Sequence, residues 1–394
     1  MTDPIPPFSA AEYDRRLAKA RAAMAAQDLD AVIATDPSNQ AWLTGYDGWS
    51  FYVHQAVVLP AGGRPLWWGR NQDANGAKRT VDLSRTDVAG YADHYVQSTT
   101  RHPMQDLAAR LSDMGLGAGR IGVEMDNYYY SAKAHAALSE ALPQATLLDA
   151  TALVNWCRAV KSDEELGFMR RAARITEKIQ RHAIERAAPG LRKNELAAGI
   201  MAEGILGVGE DWGDYPAIVP LLPSGSDAAA PHLTWDGREM RDGEATFFEL
   251  AGVYRRYHVP CSRTVFLGDP PDHIRRAEAA LIAGLEAGLD AARAGNQARD
   301  IANALGAEME KAGIERGARC GYAIGLSYPP DWGERTISLR EEDETVLEPD
   351  MTFHFMPGLW MDDWGLEITE PIRITAEGPA ECFCDLPREL IAKP

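Results

Sequence analysis

The segment Ala245-Thr-Phe-Phe-Glu-Leu-Ala-Gly-Val-Tyr-Arg-Arg-Tyr-His-Val-Pro-Cys-Ser-Arg-Thr264 sets one carboxylate, Glu249, in an apolar strand. Burying an unpaired carboxylate is costly, so its presence there points to use. It can pair with a cation, activate water, or attack an electrophilic carbon. The plainer alternative is a glutamate hydrogen-bonded within its own hairpin. His258 follows Arg255-Arg-Tyr in the same hairpin, and two readings of it stand: orientation of Glu249, or simple surface exposure. Glu367 and Glu370 supply further carboxylates near the end of the chain. Their odd spacing puts them on opposite faces of a regular strand, so one points inward unless a bulge intervenes. Tyr322 can donate a hydrogen bond to developing charge, or merely fill space.

The elements that must position these residues follow from periodicity. Ser9 with Glu12 fits a capping box ahead of a helix whose buried face is Tyr13, Leu17, Ala20 and Met24. Residues 31–34 read as a short buried strand. Residues 51–59 and 65–68 read as strands around an Ala-Gly-Gly turn, and residues 122–126 as another strand end. This alternation predicts a small α/β domain over residues 1–157. Ser162 with Glu165 opens a long helix with Leu166, Met169, Ala173, Thr176, Ile179 and Ala183 on one face, stopped by Pro189-Gly190. A helix from Lys193 follows, then strands at 217–222, 245–254 and 257–267, and helices at 272–294 and 299–312. Strands at 352–359 and 366–374 close the chain. Paired helices with antiparallel strands predict an α+β domain over residues 158–394.

Composition narrows the partners. The 394 residues suffice for two domains with full cores. A net charge of −18 argues against nucleic acid and anionic membranes, both of which need basic surface. No apolar run reaches the length of a membrane span, and the N-terminal residues show no export signal. Cys157, Cys261, Cys320, Cys382 and Cys384 are odd in number and match no zinc spacing. They read as free thiols of a cytoplasmic protein.

The 245–264 hairpin resembles the one that carries two metal-binding aspartates in the creatinase/prolidase family. Asn39-Gln-Ala-Trp-Leu-Thr-Gly-Tyr46 and Arg158-Ala-Val-Lys-Ser-Asp-Glu-Glu-Leu166 resemble that family's smaller domain and the entry to its catalytic domain. The resemblance covers nearly the whole chain and implies a pita-bread fold for the second domain. It also locates five metal-ligand positions. The two aspartates fall at Glu249 and Pro260, the histidine at Tyr322, the first glutamate at Met356, and the last glutamate at or beside Thr369. Four of the five have lost their usual donor. His258, Glu367 and Glu370 are what remains for a different metal site. The resemblance therefore implies no metal and no other cofactor.

Residues 43–55, 213–225 and 327–335 resemble a metal-free branch of the family that hydrolyses a small cyclic amidine bearing a carboxylate. That resemblance implies covalent attack by Glu249 and proton transfer by His232. Glu370, Glu367 and Tyr322 are further candidates for the chemistry. The substrate carboxylate would meet Arg335, or Arg340 as second choice, because guanidinium matches carboxylate bidentately. Trp332, Trp360, Trp364, Trp212 and Tyr215 are candidates to stack on a flat cation. Trp49 and Tyr52 of the first domain would reach a partner subunit's pocket in a homodimer. A deacetylase acting on the N-acetyl product is the implied downstream partner. Competing readings are a metal-dependent prolidase or aminopeptidase, a creatinase-like amidinohydrolase, a lyase on a sulfonium compound, and a member used only for binding proteins.

Overall fold

The computed structural model describes residues 7–394; the opening residues, read as lacking an export signal, lie outside them. The chain divides into two compact units, Met1–Arg158 and Ala159–Pro394.

The first unit has six strands: β1 (Ala31–Ala34), β2 (Ala56–Pro60), β3 (Leu66–Arg70), β4 (Asp87–Tyr91), β5 (Arg120–Val123) and β6 (Thr146–Asp149). They form one sheet in the order β4-β3-β2-β1-β5-β6. Helices α1 (Ala10–Ala26), α2 (Pro37–Thr44), α3 (Ala74–Thr80), α4 (Met104–Asp113), α5 (Ala132–Ala141) and α6 (Leu153–Arg158) cover it. Alternation along the central strands assigns the two faces. Val32, Ala34, Val57 and Leu59 pack with α1, α2, α3 and α6. Ala31, Ile33, Ala56 and Val58 pack with α4 and α5. Every residue of β1 is thus buried, which explains why it reads as a continuous apolar run. The strand expected from residue 51 begins only at Ala56, because residues 51–55 form turns in which Gln55 accepts from Ser50.

The second unit contains α7 (Asp163–Arg186), α8 (Lys193–Leu206), α9 (Asp272–Ala291) and α10 (Ala298–Lys311). Its strands are β7 (Ala245–Tyr254), β8 (Tyr257–Leu267), β9 (Gly321–Ile324), β10 (Gly333–Ser338), β11 (Thr352–Phe355), β12 (Gly358–Trp360), β13 (Gly365–Glu367), β14 (Glu370–Arg373), β15 (Glu381–Cys382) and β16 (Ile391–Lys393). One sheet runs β10-β9-β11-β14-β15, a second β16-β8-β7, and β12 pairs with β13. The Ser162–Glu165 capping box forms in both directions, and every residue predicted for the inner face of α7 is buried.

Helix α7 does more than cover the β7–β8 hairpin. The Thr176 hydroxyl accepts from Gly252 N–H at 2.9 Å and donates to the Val259 carbonyl at 2.6 Å. Gly252 and Val259 are cross-strand partners, so this hydroxyl is inserted into the ladder. Gln180 donates to the carbonyls of Phe248 and Cys261. Only glycine fits at 252: a Cβ there would lie 2.3 Å from the Thr176 nitrogen and 2.4 Å from the Ala172 oxygen.

Two expected strands take other forms. Residues 217–222 make only an isolated bridge, in which Leu221 and Glu249 exchange backbone hydrogen bonds. The closing strand breaks at Ile368-Thr369, so Glu367 ends β13 and Glu370 begins β14, in separate sheets.

Candidate active site

Strand alternation builds the site from the hairpin upward. Phe248 and Leu250 of β7, with Val265 and Leu267 of β8, pack against α7 and α8. Glu249 therefore faces the other way, opposite Ser262 on β8, and Ala251 is opposite Pro260. Strand β13 is laid over this face by Thr264, whose hydroxyl accepts from Glu367 N–H and donates to the Glu367 carbonyl, both at 2.9 Å. A turn of 3₁₀ helix at Gly225–Ala229 closes against the same strand; a Cβ at Gly365 would lie 1.9 Å from the Ala228 oxygen.

Two carboxyls are thereby buried in one place. Burial, and then the charge of Glu367, hold the Glu249 carboxyl well above the usual carboxylate range. Burial pushes Glu367 up to about 7, against the opposing influence of nearby Ser262 and Trp360. Trp360 Nε1–H donates to Glu367 Oε1 at 2.9 Å. Glu367 Oε2 and Ser262 Oγ are buried beside each other, near enough for Ser262 to favour the charge on Glu367 yet without a hydrogen bond of normal geometry to any described residue. Such a loosely satisfied buried pair can accommodate a ligand's polar group.

Beside the carboxyls runs a chain of polar side chains from β9, β11 and the loop before β10. Trp332 Nε1–H donates to the Tyr322 hydroxyl at 2.7 Å. Tyr322 Oη lies 3.0 Å from His354 Nδ1. His354 Nε2 lies 2.7 Å from Thr369 Oγ1, which accepts from Ser262 N–H at 2.7 Å. Glu249 Oε1 is 3.8 Å from His354 Nδ1. Burial, followed by the charges of Arg263 and Arg319, pushes His354 down to about 3, so its ring is neutral. Burial and the neighbouring Glu249 hold the Tyr322 hydroxyl well above its usual value.

His354 is the residue that sequence reasoning missed. Its signal was the run Phe353-His354-Phe355. Phe353 and Phe355 join the core under α9 and α10, and the residue between them must face the opposite side.

The other candidates divide clearly. Glu370 is turned away and held by Arg263 at 2.6 Å and Arg388 at 3.1 Å. The strand break explains why it, and not Glu367, leaves the site. His258 is buried, which overturns the reading of surface exposure. Its Nε2 accepts from Ala217 N–H at 2.8 Å, so the ring proton is on Nδ1, 2.9 Å from the Arg256 carbonyl. Both nitrogens serve backbone, and burial pushes the group down to about 3. Trp332 is fully buried as a hydrogen-bond donor and offers no free face. Tyr215 has the Arg256 guanidinium 3.9 Å over its ring. Trp212 is exposed beneath Arg255, and Trp364 packs edge-on with His273. His232, Arg335 and Arg340 are exposed. In the first unit, Trp49 and Tyr52 are 57% and 67% exposed.

The metal-ligand positions can be tested as a donor set. Pro260 and Met356 bring no oxygen or nitrogen donor. The hydroxyls of Tyr322 and Thr369 are committed to Trp332, His354 and Ser262, and both ring nitrogens of His354 are engaged. Glu249 and Glu367 are what is left. Among the described residues, no three His, Cys, Asp or Glu side chains converge as a metal site. This set does not fit the multi-ligand shell that divalent hydrolytic metals require.

Comparison with known proteins agrees with this architecture. An ectoine hydrolase of Halomonas elongata is 56% identical, with 98% of each chain covered. An uncharacterized hydrolase/peptidase of Sinorhizobium fredii is 42% identical, again with 98% of each chain covered. The solved prolidase of Thermococcus sibiricus superposes with a TM-score of 0.84 over 98% of this chain and 100% of that one; at 18% identity this likeness concerns the fold. Residues 16–160 match the creatinase/prolidase N-terminal domain, and residues 167–376 match metallopeptidase family M24. With both domains matched in order and close relatives along its whole length, the chain belongs to the creatinase/prolidase branch of metallopeptidase family M24.

Proposed function

We propose that this hydrolase opens the amidine ring of ectoine, and of hydroxyectoine, to an N-acetyl-2,4-diaminobutyrate without a metal. The observation that carries the reading is the pair of buried carboxyls, Glu249 and Glu367, at a place where the donor set for a metal is missing. The 56% identity to an ectoine hydrolase supports the substrate.

Ectoine carries a delocalised amidinium and a carboxylate. Two carboxyls with raised pKa values share a proton when no cation is near. The Trp360 N–H favours the charge on Glu367, so the proton rests on Glu249 in the empty site. An amidinium beside Glu249 reverses this preference: Glu249 ionises and Glu367 takes the proton. Ser262 Oγ, buried beside Glu367, can then accept from an amidine N–H. Glu249 attacks the amidine carbon, forming a C–O bond while the C=N π pair moves to nitrogen. One ring C–N bond then breaks, its nitrogen leaving with the proton from Glu367. Water then adds to the same carbon and gives one proton back to Glu367. The C–O bond to Glu249 breaks, Glu249 leaving as a carboxylate, and the second proton passes to the freed amine, so that an acetamide and an ammonium remain. Tyr322 donates a hydrogen bond to the charge that develops.

His232 retains a place in this reading as an exposed group on the loop after the 3₁₀ turn, while the first proton comes from Glu367. Arg335 stays the choice for the substrate carboxylate. The exposed Trp49 and Tyr52 support assembly as a homodimer.

Mass spectrometry of enzyme quenched during turnover tests the covalent step. An adduct of ectoine's mass is expected on the peptide containing Glu249. Glu249→Gln is expected to lose both adduct and turnover; near-normal rates in that variant would remove Glu249 from the role.

A further inference from the structure

The proton positions around His354 can be worked out from donor and acceptor counts. Trp332 Nε1–H and Ser262 N–H can only donate, and they occupy one lone pair each on Tyr322 Oη and Thr369 Oγ1. The neutral imidazole then has two arrangements. In the first, Nδ1–H donates to Tyr322 and Thr369 O–H donates to Nε2. Tyr322 Oη then accepts twice, and its own proton is left for the site. In the second, Tyr322 O–H donates to Nδ1 and Nε2–H donates to Thr369. The surplus proton then sits on Thr369, and Tyr322 has nothing to offer the site.

The surroundings decide between them. The Glu249 carboxyl lies beside His354 Nδ1 at 3.8 Å and close to the Tyr322 hydroxyl, and it offers an acceptor oxygen there whether or not it carries its proton. Thr369 Oγ1 instead sits between Ser262 N–H and the ring. A surplus donor is stabilised where a free acceptor is, which is at Tyr322, beside the Glu249 carboxyl. His354 and Tyr322 are also direct cross-strand partners on β11 and β9, so both rings stand side by side on one face of the sheet.

We propose that His354 is a positioning residue: its Nδ1–H tautomer, with Thr369 donating to Nε2, holds Tyr322 as a hydrogen-bond donor aimed at the reacting group. This rests on the ring-opening role given above to Glu249 and Tyr322. His354 touches no substrate; it acts through Tyr322. The Thr369 hydroxyl donates to Nε2 in this tautomer, which gives it a role at or beside the position of the family's last metal-binding glutamate.

The tautomer can be read without any substrate. Long-range ¹H–¹⁵N correlation spectra of histidine-labelled protein, with His354 assigned by its loss in His354→Gln, are expected to show the Nδ1–H pattern. They are expected to hold it unchanged across pH 5–9. An Nε2–H pattern would overturn the proposal, whatever the substrate proves to be. The second arm uses ectoine turnover. In His354→Asn the amide nitrogen falls near Nδ1 and can still donate to Tyr322. In His354→Gln the amide reaches toward Thr369 instead. With both variants folded by thermal melting, Gln is expected to lower kcat about 10²-fold with KM little changed. Asn is expected to recover most of that loss, and adding Tyr322→Phe to the Gln variant should cost little more. Equal rates for Asn and Gln would sink the positioning role. Wild-type protein that leaves ectoine untouched, yet shows the Nδ1–H tautomer, would count against the substrate and not against the lock.

Discussion

At the scale of the residue, Glu367 connects stability to chemistry. Its carboxyl titrates near 4.5 in the ordinary range and is pushed up to about 7 by burial. Between those values the unfolded chain releases a proton that the folded protein keeps, so stability falls as pH rises from about 4.5 to about 7 and stays lowered above. Glu367→Gln removes that penalty while keeping an acceptor for Trp360. Without substrate, its melting temperature should exceed that of the wild type at pH 8, by the equivalent of about 3 kcal/mol. The two should converge near pH 4. A constant difference across pH would mean that the carboxyl is not held neutral. The same variant lacks an acid for the departing nitrogen, and turnover should drop about 10²–10⁴-fold. In the wild type, kcat/KM should fall as pH drops below about 7, where both carboxyls carry protons, and fall again at higher pH, where the pair loses its shared proton.

The elements explain which of these roles the sequence made legible. Glu249 stood out because one carboxylate interrupts an apolar strand, and strand alternation then turns it away from α7. The metal positions at Pro260, Tyr322 and Met356 were readable residue by residue. The choice between Glu367 and Glu370 was not, because it depends on a break at Ile368-Thr369 held by contacts with Ser262 and Thr264, more than a hundred residues away. His354 lay hidden for a similar reason: Tyr322, Thr369 and Trp332 meet it only through sheet pairing. Likewise, the strand expected at 217–222 became a bridge that fixes the Glu249 backbone at Leu221. Helix α7 holds the other side of this arrangement through Thr176. Thr176→Val conserves volume but leaves Gly252 N–H and the Val259 carbonyl unpaired in the interior. We expect a loss of about 2–4 kcal/mol in denaturant unfolding, at the cost of two buried polar groups, and lowered turnover through displacement of Glu249. A neutral result would mean that the hairpin ladder closes without the hydroxyl.

Over the whole molecule, the fold of a metallopeptidase family surrounds a donor set that does not fit a metal. The net charge of −18 argues against a nucleic-acid partner, and among the described residues no helix is long and apolar enough to cross a membrane. Hydrolysis by metal-bound water is replaced, in this account, by two carboxyls that exchange one proton as a cation enters. Everything then turns on whether turnover survives complete metal removal. Proton NMR of ectoine incubated with chelator-treated enzyme measures this directly. The account predicts resonances of an N-acetyl-2,4-diaminobutyrate at a rate unchanged by added manganese, zinc or iron. Ectoine that stays intact until one of those metals is restored would contradict it.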